Sequence, residues 1–170
     1  MSIAVGVVWI VFAIIWQAAD LPVPAVLGAR ADLAVLIVLV WSYVRSPQDA
    51  VVLAFAGGIV QDGLSYHALG ISTLALLPVV ALGSFRGARM LDTDWMTTMF
   101  LAAAATLAYH AVLLSLIALT GDGPSPVGAL VRHGVPSALM NALLMPPLYL
   151  VLLVASIDFR VQRRQIRTDD

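Results

Sequence analysis

The sequence lacks three residue types that most proteins use freely. Its 170 residues include no cysteine, lysine or glutamate, so nine arginines and ten aspartates carry all of the charge. Without cysteine, disulfides and thiolate metal sites are excluded. Charged residues make up 11% of the chain, whereas soluble domains average about 25%. This is too little charge to cover a water-soluble enzyme, and the net charge of −1 predicts no nucleic-acid partner.

Four charge-free runs are long enough to cross a bilayer, whose hydrocarbon core of about 30 Å needs about 20 helical residues. They cover residues 2–19, 63–85, 95–121 and 134–157. Two further runs, 33–44 and 50–61, contain only 12 residues each. These either extend through their polar flanks to form a helical hairpin, or lie as interfacial or re-entrant segments. Pro47 favours the hairpin because proline suits the first turn of a helix and excludes helix before it.

We therefore predict an all-α integral membrane protein, a single polytopic domain with six transmembrane helices. Both termini then lie on the side that carries seven of the arginines, and only Arg30 and Arg132 lie on the other. Because positively charged loops stay in the cytoplasm, both termini are expected there. Four spans would divide the arginines eight to one, so charge does not decide the number of spans. Residues 120–135 are expected to form an exposed, irregular loop. The predicted spans are about 3–19, 26–44, 48–65, 70–88, 96–119 and 136–157.

The third span carries a stripe of small residues. Ala50, Ala54, Gly58 and Asp62 recur every four residues, and Gly57 and Gln61 lie beside them. Small residues let helices approach closely in lipid, where water no longer drives association. We expect this stripe to contact another helix, within the chain or in a partner protein, with a substrate channel as a further alternative.

Two aspartates lie at predicted helix ends. Asp32 opens the second span, where a carboxylate can accept backbone N–H groups and complement the helix dipole. Asp62 precedes a predicted turn near the outer membrane boundary, so it is expected to cap a helix or to pair with Arg30 or His67. A role in transport or proton relay is the alternative for Asp62.

Few other polar residues lie within the spans. His110 and Asn141 are placed to hydrogen-bond across helices. The three histidines have no spacing typical of metal ligands, so we predict no metal and no other cofactor. We also find no motif for catalysis and predict that the protein is not an enzyme.

A basic segment follows the last span. Its first role is to fix the topology of the chain, and contact with anionic lipid is a second, worth about 1 kcal/mol for each arginine near the surface. The arginines concerned are Arg160, Arg163, Arg164 and Arg167.

A pattern running from residue 31 to residue 71 resembles the bacterial MreD family of rod-shape-determining proteins. In that family a Pro-Asp-Leu opens the second span, a Gly precedes an Asp near the end of the third, and a Leu-Gly starts the fourth. Ala31 departs from the pattern, since the family often has proline there. The matching positions are Asp32, Gly58, Asp62, Leu69 and Gly70.

The resemblance implies a non-enzymatic scaffold of the cell-elongation machinery in the bacterial inner membrane. Such proteins bind MreC and help to couple MreB to the polymerase RodA and its penicillin-binding transpeptidase during peptidoglycan synthesis. The implied fold is similar to the six-helix substrate-binding subunits of energy-coupling-factor vitamin transporters. A subunit of such a transporter is therefore the alternative function.

Overall fold

The computed structural model describes residues 3–19, 25–26, 29–44, 46–65, 68–84, 95–120, 125–148 and 150, and these are mostly helical. The described residues contain six helices of at least 12 residues, consistent with the predicted all-α class. The arginines at positions 160, 163, 164 and 167 lie outside the described residues. The elements are α1 (Ile3–Ala18), β1 (Ala25–Val26), β2 (Ala29–Arg30), α2 (Leu33–Val44), α3 (Pro47–Leu64), α4 (Ile71–Ser84), α5 (Trp95–Leu119), α6 (Pro126–Ala129), a π-helix (Leu130–Gly134) and α7 (135–148).

Helix α2 forms the centre of the bundle. It packs against α1, α3, α4 and α5, and all but one of residues 34–42 are buried. Its sequence is almost uniformly apolar, and a helix that is apolar on every face is stable only when other elements surround it. These four neighbouring helices therefore enclose α2 and form its apolar surroundings.

The predicted start of this helix near Val26 is wrong. Residues 25–26 and 29–30 instead pair as two antiparallel strands, with Ala25 opposite Arg30. The helix begins after Asp32, whose Oδ1 accepts the N–H of Val35 at 3.3 Å, and whose carbonyl accepts the N–H of Leu36 at 3.2 Å. Aspartate is a favoured N-cap residue. Its side chain gives the N–H of Val35 the acceptor that a carbonyl would have supplied if the helix had started earlier.

The late start leaves α2 too short to cross a bilayer by itself. Its 12 residues span about 18 Å, against a hydrocarbon core of about 30 Å. Among the described helices, Trp95–Leu119 alone has the length and the apolar composition for an independent crossing. Three others, Ile3–Ala18, Leu33–Ser42 and Ile71–Ser84, are apolar but shorter.

Helix α3 begins where the sequence predicts. Pro47 occupies its first turn, and the Ser46 side chain caps it by accepting the N–H of Asp49 at 3.2 Å. The cap and the proline together fix the boundary, because proline has no N–H to leave unsatisfied in the first turn. A hairpin between α2 and α3 is thus encoded locally.

The prediction of an irregular loop over residues 120–135 is wrong for its second half. The chain is helical from Pro126 to residue 148, so the last helical run starts ten residues before the predicted residue 136. It passes through one π-helical stretch, in which the N–H of Val135 bonds to the carbonyl of Leu130. A wider turn just before Pro136 accommodates the proline ring, which would clash with the preceding turn of a regular α-helix.

Candidate functional site

The corner between α3 and α4 is held by the carboxylate of Asp62. One oxygen accepts the N–H of Gly70 at 2.6 Å, and the other accepts the N–H of Ser72 at 3.0 Å. Asp62 is 2% exposed, so these bonds replace water at a buried charge. A negative charge at the N-terminus of α4 is also favoured by the helix dipole. The aspartate at the end of one helix therefore caps the next.

Two glycines let α3 approach its neighbours closely. A Cβ at Gly58 would lie 2.5 Å from Cα and 2.6 Å from N of Thr73 in α4. A Cβ at Gly57 would lie 2.5 Å from Cδ1 of Ile10 in α1. The neighbouring residues Ala50 and Ala54 are fully buried. The small-residue stripe thus packs inside the chain, between α1 and α4.

The turn before α4 requires a glycine at position 70, which also belongs to the family pattern. Gly70 has a φ of +100°, a backbone conformation that residues with a Cβ adopt rarely. This conformation places its N–H on the Asp62 carboxylate. Gly58, Asp62 and Gly70 therefore act on one feature, the tight α3–α4 corner.

A polar network joins the start of α2 to α5 and α7. The Asn141 side chain accepts the backbone N–H of Asp32 at 2.9 Å and donates to Oγ1 of Thr106 at 2.9 Å. Asn141 and Thr106 are fully buried. The bond to Thr106 is of the interhelical type predicted for Asn141, and the bond to Asp32 connects residues 109 positions apart in the chain.

A polar cavity lies beside this network, where α2 begins. Its volume is about 470 Å³, within the range of small-molecule pockets. It lies between the ends of α1 and α3, the middle of α5 and the π-helix before α7. The polar side chains that line it are Gln17, Arg30, Asp32, Gln61, Ser65, His110, His133 and Ser137.

The depth of the cavity follows from the position of His110. This residue lies nine positions before the end of α5, which corresponds to about 14 Å along the helix.

Nδ1 of His110 lies 3.0 Å from the Thr106 carbonyl. A carbonyl only accepts hydrogen bonds, so Nδ1 carries a proton and donates it to this carbonyl.

Sequence reasoning singled out Asp32 and Asp62 but did not predict the cavity. Gln17 and His133 are isolated in the sequence, and Gln61 was noticed only as a neighbour of the small-residue stripe. The folded helices bring the three side chains to one cavity. Arg30 and His133 both line the cavity and so lie at the same end of the bundle. Within the described part of the chain no cluster of three metal-ligating side chains occurs.

An aromatic ridge marks the outward side of α1. The rings of Trp9 and Phe12 are 6.5 Å apart and nearly perpendicular, and those of Phe12 and Trp16 are 5.7 Å apart. Trp9 is 56% and Phe12 54% exposed. Tryptophan is typical of helix ends at the membrane surface, whereas Trp9 lies near the middle of α1.

Comparison with known proteins places the chain in one family. Neither a curated protein nor a solved structure matches it, so the expected similarity to vitamin-transporter subunits is without support. The model of the family described as rod shape-determining protein MreD matches residues 1–155. This range contains the α3–α4 corner, the Asp32 network and the cavity. Because the match covers nearly the entire sequence, the chain belongs to the MreD family.

Proposed function

We propose that the protein is a non-enzymatic scaffold of the bacterial cell-elongation machinery and that it binds the single-span protein MreC. The family match over residues 1–155 carries this proposal, since it assigns a role in rod-shape determination. Through MreC the protein contacts MreB, RodA and a penicillin-binding transpeptidase, directly or indirectly, and so influences peptidoglycan synthesis.

The way the polar groups are used supports a scaffold. Asp62 holds the corner between α3 and α4, and Asn141 ties α7 to α5 and to the start of α2. Each bond fixes the position of a helix. A rigid bundle with fixed outer faces is what a membrane scaffold requires.

The contact with MreC must use an outward face of the bundle. Gly57 and Gly58 are covered by α1 and α4, so the small-residue stripe is not free to bind a second protein. The aromatic ridge of α1 is our candidate, because large rings in contact with one another present a broad, preorganised surface to a partner helix. The ridge comprises Trp9, Phe12 and Trp16.

Co-purification tests the proposal. MreC is co-expressed with the tagged full chain, with a variant carrying Trp9→Ala and Phe12→Ala, and with Phe100→Ala as a control. Phe100 is 78% exposed on α5, so the control removes an outward ring from a different helix. We expect several-fold less MreC with the ridge variant and an unchanged yield with the control.

The two parts of the proposal fail in different ways. If MreC is not recovered with the unaltered protein, the scaffold function is wrong. If MreC is recovered equally with all three proteins, the scaffold stands and the α1 ridge is not its binding surface.

We also propose that both termini lie in the cytoplasm. Reporter fusions at Pro47 and at the C-terminus should then give the same cytoplasmic signal. Opposite signals at these two points would exclude the six-span topology. The arginines proposed to hold this orientation and to contact anionic lipid are Arg160, Arg163, Arg164 and Arg167.

A further inference from the structure

The polar cavity presents opposite charges at different depths. Arg30 and His133 line it and are exposed, so they form its mouth. Asp32 and His110 line it and are half-buried, so they form its floor. The cavity therefore has a guanidinium at its mouth and a carboxylate at its floor.

The floor offers hydrogen-bond acceptors. The carboxylate of Asp32 accepts the N–H of Val35 with one oxygen and has capacity for further donors. His110 uses Nδ1 on the Thr106 carbonyl, which leaves Nε2 for other partners. Gln61 also lines the cavity. A group that brings several N–H donors and a positive charge would satisfy this floor.

The position of the charge at the floor is fixed. Asn141 holds the backbone of Asp32 through the bond to its N–H, and the Gln17 amide donates to the carbonyl of Ala31 at 2.5 Å. Both bonds go to backbone groups, so neither uses the Asp32 carboxylate. A binding group held by its supporting contacts loses little entropy when a ligand arrives.

We propose that this cavity binds a small zwitterion, with a primary ammonium at the floor beside Asp32 and His110 and a phosphate or carboxylate at the mouth beside Arg30. An ammonium supplies three donors and no acceptor, and a guanidinium suits phosphate and carboxylate. The same chemistry occurs in free aminoalkyl phosphates and amino acids and in the phosphatidylethanolamine headgroup. The volume of about 470 Å³ admits either source.

Binding to the purified full chain tests the proposal. Phosphoethanolamine and β-alanine are titrated as soluble probes, with phosphocholine as the matched probe whose ammonium has no N–H. For the lipid source, native mass spectrometry compares retention of phosphatidylethanolamine and phosphatidylcholine from nanodiscs containing equal amounts of both.

Charge-neutralising variants locate the site. Asp32→Asn removes the charge at the floor but keeps an N-cap residue of equal quality, so α2 should still form. Arg30→Gln tests the mouth. Asp49→Asn makes the same change as Asp32→Asn in the first turn of α3, at the other end of the bundle, and serves as the control.

We expect saturable binding of a primary-ammonium probe, weakened at least tenfold by Asp32→Asn and by Arg30→Gln and unchanged by Asp49→Asn. Binding of a soluble probe without preferential retention of phosphatidylethanolamine identifies a free ligand, and preferential retention of phosphatidylethanolamine identifies the lipid. Equal binding of the ethanolamine and choline compounds would overturn the proposal. So would binding that survives Asp32→Asn, or the absence of saturable binding from both sources.

Discussion

Replacing Gly58 with alanine should separate α3 from α4. The new Cβ would lie 2.5 Å and 2.6 Å from backbone atoms of Thr73, where ordinary contacts begin at 3.4 Å. A flexible side chain could rotate away, but backbone atoms move only with their helix. The two helices must therefore move apart by about 1 Å along the contact, which loses packing on both sides.

The size of the effect is best measured against a second glycine of the same helix. Gly63 has nothing within 4 Å of its added Cβ, so Gly63→Ala adds a methyl group without a clash. Both variants gain up to about 1 kcal/mol of helix propensity, and this gain largely cancels in their difference. What remains is the cost of overpacking, about 1–3 kcal/mol against Gly58→Ala.

Equilibrium unfolding in mixed detergent micelles, followed by tryptophan fluorescence, measures this difference. Gly58→Ala should unfold at a lower fraction of denaturing detergent than the unaltered chain, and Gly63→Ala at the same or a higher fraction. If the two variants unfold together, the close approach of α3 and α4 at Thr73 is not a feature of the folded protein.

Three further changes test the remaining contacts by the same unfolding measurement. Asp62→Ala should cost about 2–4 kcal/mol, since it leaves two buried N–H groups without their charged acceptor, and Asp62→Asn should cost less; equal costs would mean that the charge contributes nothing. Gly83→Ala should destabilise because its Cβ would overlap the Ser42 side chain and lie 2.8 Å from its Cβ; Ser42→Gly in the same chain should restore stability, and failure to do so would place the clash elsewhere. Asn141→Leu should cost about 1–3 kcal/mol through the unpaired groups it leaves at the start of α2, and an unchanged stability would contradict the network.

Local signals in the sequence were sufficient for α3 and α5. Ser46 and Pro47 encode the start of α3 within two residues, and the charge-free run from residue 95 sets the length of α5. The turn at Gly70 was also predictable from the cluster of polar and small residues before it. Each of these features depends on contacts between residues close in the chain.

The start of α2 could not be predicted in this way. Counting apolar residues does not reveal that the N–H of Asp32 bonds to a side chain 109 positions away. The helical turn before Pro136 could not be predicted either. The π-helical geometry that admits the proline does not change the hydrophobic periodicity of the sequence. The cavity depends on both features, so it was invisible to sequence reasoning as well.

The short α2, the buried polar residues and the cavity have one common cause. In a membrane protein, backbone groups outside a helix must find partners within the protein or face a water-filled space. Gln17 supplies a partner for the carbonyl of Ala31, and Asn141 supplies one for the N–H of Asp32. If α2 began near residue 26, as a complete span would, these bonds would be replaced by intrahelical ones, and both amides would lose their buried partners. The polar residues thus permit the late start of α2 within the bundle, and that late start leaves room for the cavity.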